Sequence, residues 1–190
     1  MENRKNNISD LELKIGINCA PVILGIKSAN TITVQNVDGF ELCELLKETG
    51  VEYVPLYQKE KTIIYLIYRS SLILETLKKP DIRELLKRFG YYDMDMDLIL
   101  TKLKRRYELY MKKQAAFPHE IGLILDYPPE DVISFMNNNG QQCRLCGYWK
   151  VYGDVEQAKY TFSCYDRARE LVLSRIRQGE SLKRIAAEIA

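Results

Sequence analysis

Residues 117–154 read FPHEIGLILDYPPEDVISFMNNNGQQCRLCGYWKVYGD. This stretch holds the chain's only histidine, His119, its only tryptophan, Trp149, a Pro-Pro pair and a Cys-x-x-Cys. Pro118 suits a first helical position, where a missing N–H costs nothing, and it pushes Phe117 towards extended geometry. Ile121, Ile124 and Leu125 then recur at helical spacing. Tyr127-Pro128-Pro129 breaks that helix and lets a second begin at Pro129. Glu130 and Asp131 fall in its first turn, where carboxylates complement the positive end of the macrodipole. Val132, Phe135 and Met136 give it a buried face, and Asn137 to Gly140 end it, since Asn and Gly tolerate the left-handed cap. The pattern predicts a helical hairpin over 117–140. Gly147 to Gly153 alternates bulky and polar residues and predicts one strand.

Working outward, the chain of 190 residues suits one domain over 11–190 behind a polar, flexible lead-in over 1–10. Hydrophobic residues make up 46% and charged residues 28%, as in ordinary globular proteins. The 28 basic and 26 acidic residues nearly cancel, which argues against a general attraction to nucleic acid or anionic membranes. No signal-like apolar segment opens the sequence, and no apolar run reaches the length of a membrane span. Five cysteines are an odd number, and a chain this long needs no staples, so reduced thiols in a cytoplasm are expected.

Towards the N-terminus, residues 11–17 are ambiguous, and Cys19-Ala20-Pro21 opens an apolar segment with Pro21 near a helix start. A strand over 31–37 and a short helix over 40–48 follow. Residues 51–57 and 62–69 form a β-hairpin across Gln58 to Lys61, and Pro55 marks its strand as an edge or a bulge. From Ser70 the period becomes helical. Asp81 caps a helix ending near Gly90. A longer helix over 93–114 carries a seam of Met96, Leu100, Leu103, Tyr107 and Tyr110. Asp154 with Gln157 starts another helix as a capping box, burying Ala158, Phe162, Tyr165, Ala168, Val172 and Ile176. A last helix spans 181–189. The fold class is α+β: a small, mostly antiparallel sheet of three to four strands, completed by residues 148–152, packed against a helix-rich C-terminal two-thirds.

The phrases FPHEIG, YPPEDV and GYWKVYGD, with NCAPVILGIKSAN near the start (CAPxxxGIKxAN as a pattern), resemble a bacterial family known only as a domain of unknown function. The likeness spans nearly the whole chain. Members of that family usually carry proline where this chain has Ser28. The resemblance implies no activity, and it directs attention to Cys19, His119, Glu120 and Trp149.

Cys19 and His119 are the candidate catalytic pair. A thiol at a helix start has its thiolate stabilised by the dipole, and a histidine in the first turn of another helix is biased towards a neutral general base. Glu120 is the candidate orienter. The plainer alternative is a buried free cysteine and a histidine satisfied by a carbonyl. Cys143 and Cys146 are the weak metal or redox candidate, since zinc wants four ligands and the remaining Cys and His stand at no usual spacing. Lys27, Tyr148, Trp149 and Tyr152 are candidate ligand-binding residues. No Gly-rich phosphate loop occurs and no cofactor is implied. The hairpin His119–Asn139 superficially resembles a DNA-reading motif, but Glu130 and Asp131 at its second helix would repel phosphate. The sequence reading is a cytosolic accessory module for a small molecule or a protein, with its site where the hairpin meets the Cys19 segment. The alternative is a hydrolase or transferase using Cys19 as nucleophile and His119 as base.

Overall fold

The computed structural model describes residues 8–35 and 38–188. Most of the expected lead-in, the end of the first strand at Val37 and the end of the last helix at Ile189 therefore lie outside the described residues. In chain order the elements are α1 (Asp10–Ile23), β1 (Ala29–Gln35), α2 (Gly39–Leu46), β2 (Glu52–Lys59), β3 (Thr62–Tyr68), α3 (Ser70–Lys78), α4 (Pro80–Arg88), α5 (Met96–Met111), α6 (Ile121–Ile124), α7 (Pro129–Asn137), β4 (Leu145–Cys146), β5 (Lys150–Val151), α8 (Val155–Arg177) and α9 (Leu182–Ala187). The mixture is α+β, with a small antiparallel sheet early and helices dominating later. The chain divides into two compact units: Met1–Arg69 with Tyr165–Ala190, and Ser70–Cys164.

The first unit is built on the sheet β1-β3-β2, antiparallel throughout. Ile32 and Val34 point inward from β1, opposite Tyr65 and Ile63. Strand β2 lies at the edge, and its register shifts between Pro55 and Tyr57, so both consequences expected of a donor-less residue occur together. Helix α1 corrects the sequence reading. It starts at Asp10, where the Ser9 hydroxyl accepts from Glu12 N at 3.0 Å, and Pro21 lies inside its last turn instead of opening a helix. A proline so near the end forfeits one intrahelical bond only. The terminal carbonyls are satisfied from elsewhere: Arg69 donates to Val22 O and Ile23 O, both at 2.6 Å, and to Thr49 O at 3.2 Å. A cation at that end also complements the macrodipole. Gly16 permits the second half of α8 to approach α1, because a Cβ there would stand 2.9 Å from Ile176 Cδ1. Ile15, Cys19, Leu42, Ile67, Val172 and Ile185 share the resulting core.

The second unit is helical. Helix α4 is not capped by Asp81: Lys79 is its N-cap residue, without a side-chain bond, and Pro80 takes the first helical position. Helix α5 begins at Asp95, whose carboxylate accepts from Leu98 N at 3.0 Å, and buries Ile99, Leu100 and Leu103. The hairpin expected over 117–140 forms as α6 and α7, with Pro129 at the start of α7, but α6 opens at Ile121 and not at Pro118, so His119 lies before that helix and not in its first turn. Asn139 and Gly140 adopt φ of 48° and 71°, which ends it. The strand expected to complete the sheet does not do so. Only Lys150–Val151 is extended, and it pairs with Leu145–Cys146 as a separate two-stranded ribbon. The closeness of β4 in sequence makes that pairing the cheaper one in loop entropy. Asp154 caps α8 through Gln157 N at 2.9 Å, as expected. No helix among the described residues is long and apolar enough to cross a membrane.

Candidate functional site

The double proline makes the chain double back between α6 and α7, and the segment leading into β5 closes the remaining side. A cavity of about 320 Å³ opens between them. Its walls are mainly aromatic: Phe117, His119, Tyr127, Phe135 and Trp149, with Ile121, Leu125 and Val132 filling the gaps. Phe117 and Phe135 flank the imidazole, with ring centroids 5.2 Å and 5.6 Å away. On another side Trp149 stacks on Tyr127 at 5.4 Å and meets Phe162 edge-on at 4.5 Å. Gly122 lies in the lining because a Cβ there would come within 2.9 Å of Val132 Cγ2 and 3.2 Å of Tyr127 Cδ2.

Besides the Tyr127 hydroxyl and the Trp149 indole N–H, the lining carries the side chains of His119, Asp131 and Lys150. Burial pushes the His119 pKa below its ordinary value, with the Arg106 charge acting the same way and Glu120 opposing. Asp131 is only 3% exposed. Its Oδ2 accepts from Trp149 Nε1 at 2.7 Å, and its Oδ1 accepts from the backbone N–H groups of Tyr152 and Gly153 at 2.7 and 2.8 Å. Charge-assisted bonds of this kind make a buried carboxylate tolerable. Lys150 donates to Gly140 O at 2.6 Å, and its ammonium stands 5.8 Å from the Phe135 ring centroid.

Glu120, beside His119 in sequence, serves a different group. Its carboxylate is 1% exposed, accepts from Tyr91 OH at 2.9 Å and pairs with Arg106. Among the described residues no hydrogen bond runs from it to His119, so the geometry expected of an orienter is not present. Burial first, then the Glu120 charge, pushes the Tyr91 hydroxyl pKa up.

Of the candidate ligand-binding residues, Trp149 lines the cavity, whereas Tyr148 and Tyr152 do not. Tyr148 packs on Phe162 at 5.4 Å. Tyr152 offers its backbone N–H to Asp131, and its buried hydroxyl has no partner among the described residues. Lys27 belongs to the other unit, where it is 3% exposed, bonds Asn30 Oδ1 at 3.3 Å and stands 5.6 Å from the Tyr165 ring centroid.

Cys19 also belongs to that unit. It lies inside α1, not at a helix start, and is fully buried; burial pushes its pKa up to about 12, against the lowering effect of the Lys27 charge. The dipole argument for a thiolate therefore loses its geometric basis. Cys143 and Cys146 are free thiols, and among the described residues no group of three or more His, Cys, Asp or Glu could hold a metal ion.

Sequence reasoning missed Asp131 and Lys150. Asp131 was legible only as a first-turn carboxylate equivalent to Glu130. The signal that could have separated them is the pairing of the two least ordinary phrases: the acid of YPPEDV joins the Trp149 indole and backbone of GYWKVYGD.

These features define an α+β chain with a small, aromatic-walled cavity held shut at one side by a buried aspartate. The chain belongs to the family described as "Protein of unknown function (DUF3793)", which matches residues 15–186. Comparison with curated proteins and with solved structures found no match.

Proposed function

We propose that the chain is a small-molecule-binding module whose working surface is the cavity between α6, α7 and the approach to β5. The observation that carries this reading is the cavity itself: about 320 Å³, with walls almost wholly aromatic and aliphatic and a few convergent polar groups. Small-molecule sites have that composition, and this volume stands near their lower limit. Burying about 150 Å² of apolar ligand at about 25 cal/mol per Å² contributes about 4 kcal/mol, which corresponds to roughly millimolar affinity before any polar contact is added. An odd number of cysteines, five, in a chain too long to need staples supports a reducing compartment, the cytoplasm.

The rival reading, a thiol enzyme built on Cys19 and His119, finds less support. A thiol whose pKa is near 12 is almost wholly protonated at neutral pH, and protonated thiols are poor nucleophiles.

Trp149, the only tryptophan, supplies the test. Titration with small aromatic compounds should change its emission saturably. Leu125→Phe, which fills part of the cavity, should weaken that binding by about tenfold or more. Unaltered affinity in this variant would locate binding elsewhere and end the proposal.

A further inference from the structure

Ring-lined walls fix the shape of an occupant, while the charges around them decide its sign. Both can be read from the same few residues. His119, Phe135, Tyr127 and Trp149 present ring faces and edges to the cavity, an arrangement that favours a flat ring, which stacks or meets them edge-on. The volume has room for one or two rings and little more.

The formal charges of the lining cancel, Asp131 against Lys150, and what differs is how far each is already hydrogen-bonded. Asp131 is negative, but three N–H donors already occupy its two oxygens. His119 is held towards its neutral form by burial. Lys150 is the remaining charged group of the lining. Its ammonium carries three protons, and one is given to Gly140 O. Among the described residues the other two have no acceptor, and the neighbouring Phe135 ring offers only a weak cation–π contact at 5.8 Å. A carboxylate on the ligand would complete that set.

We infer that the ligand is a small aromatic acid, its ring seated among His119, Phe135 and Trp149 and its carboxylate paired with the Lys150 ammonium. The inference rests on the reading of the cavity as a binding site and adds the class of ligand. An ammonium-bearing ligand would meet Lys150 as a like charge and an Asp131 already engaged by three N–H donors. A neutral one could offer the ammonium only an uncharged acceptor, a weaker partner than a carboxylate.

The test uses three molecules of nearly one shape: phenylacetate, phenylacetamide and phenethylamine, titrated calorimetrically at pH 7.5 into the full chain, into Lys150→Met and into Lys150→Arg. The acid should bind about tenfold or more tighter than the amide, with the amine weakest, and the preference should shrink as salt is raised. Lys150→Met should bring acid and amide to within about twofold of each other, chiefly by weakening the acid; Lys150→Arg should keep the preference. Unfolding curves of both variants check that the tie to Gly140 is not what was lost, and if Lys150→Met does not fold, the acid-to-amide ratio of the native chain decides alone. An acid bound no tighter than the amide, or a preference that survives in folded Lys150→Met, overturns the ligand class and leaves the cavity reading standing. Binding of none of the three overturns both.

Discussion

The Asp131 carboxylate holds the Trp149 indole N–H at 2.7 Å, joining the start of α7 to the segment that leads into β5. Its other oxygen takes the backbone N–H groups of Tyr152 and Gly153. One acid thus fixes the tryptophan ring that walls the cavity and the turn beyond it. Asp131→Ala leaves the buried Trp149 indole N–H and two part-buried backbone N–H groups without their acceptor and should destabilise the protein by about 3 kcal/mol. Asp131→Asn keeps one acceptor oxygen but turns an amide N–H towards the indole, so its loss should be smaller, about 2 kcal/mol. Urea unfolding measures both, and the Trp149 emission should move to longer wavelength in each folded variant. Unchanged stability in Asp131→Ala would remove the aspartate from this role.

Glu120 performs a similar task for another part of the same unit. Glu120→Ala strands the Tyr91 hydroxyl and the Arg106 guanidinium and should cost about 3 kcal/mol. Tyr91→Phe removes one hydrogen bond to a charged acceptor and should cost about 1.5 kcal/mol. Because the two share one network, the double variant should lose less than the sum of the singles. Additive losses would mean that the pair is not coupled.

The depressed His119 pKa makes stability depend on pH in a defined direction. Below its ordinary value of 6.5 the unfolded chain takes up the proton before the folded one does, so stability falls as pH drops through that value and on towards the lower folded pKa. His119→Phe keeps an aromatic wall and removes the titrating group. Denaturation between pH 7.5 and 5 should show a shallower loss in this variant than in the native chain. Equal slopes would place the proton uptake elsewhere.

Cys19 titrates in the opposite sense. Burial raises its pKa from 9.0 to about 12, so its contribution to stability is full below about pH 9 and is lost as pH rises towards 12. Near neutral pH, iodoacetamide should alkylate the exposed Cys43 and Cys146 and leave Cys19 untouched until the protein unfolds. Peptide mass mapping reads the sites. Fast, selective labelling of Cys19 would restore the thiol-enzyme reading.

Local rules were enough for much of this architecture. The β2–β3 hairpin, the Pro55 irregularity, the double-proline helical hairpin and the Asp154 cap all follow from residues close together in sequence. The failures have one cause. Pro21 reads as a helix start because the Ser9 cap lies twelve positions earlier and the Arg69 donors that satisfy the helix end lie far along the chain. The pairing of β5 with β4 and the burial of Asp131 likewise depend on partners that periodicity does not name. In the site, His119 and Trp149 stood out as single occurrences of their kinds. Lys150 did not, because a lysine in a short alternating run looks like any solvated strand residue.

The chain has one histidine and one tryptophan, and both line the same cavity. Each therefore gives a single, assignable set of side-chain signals in heteronuclear NMR, the His119 ring and the Trp149 indole N–H. Titration with phenylacetate should shift both together, saturably and with one dissociation constant. Saturable binding that leaves both signals in place would contradict a ligand site between α6, α7 and β5.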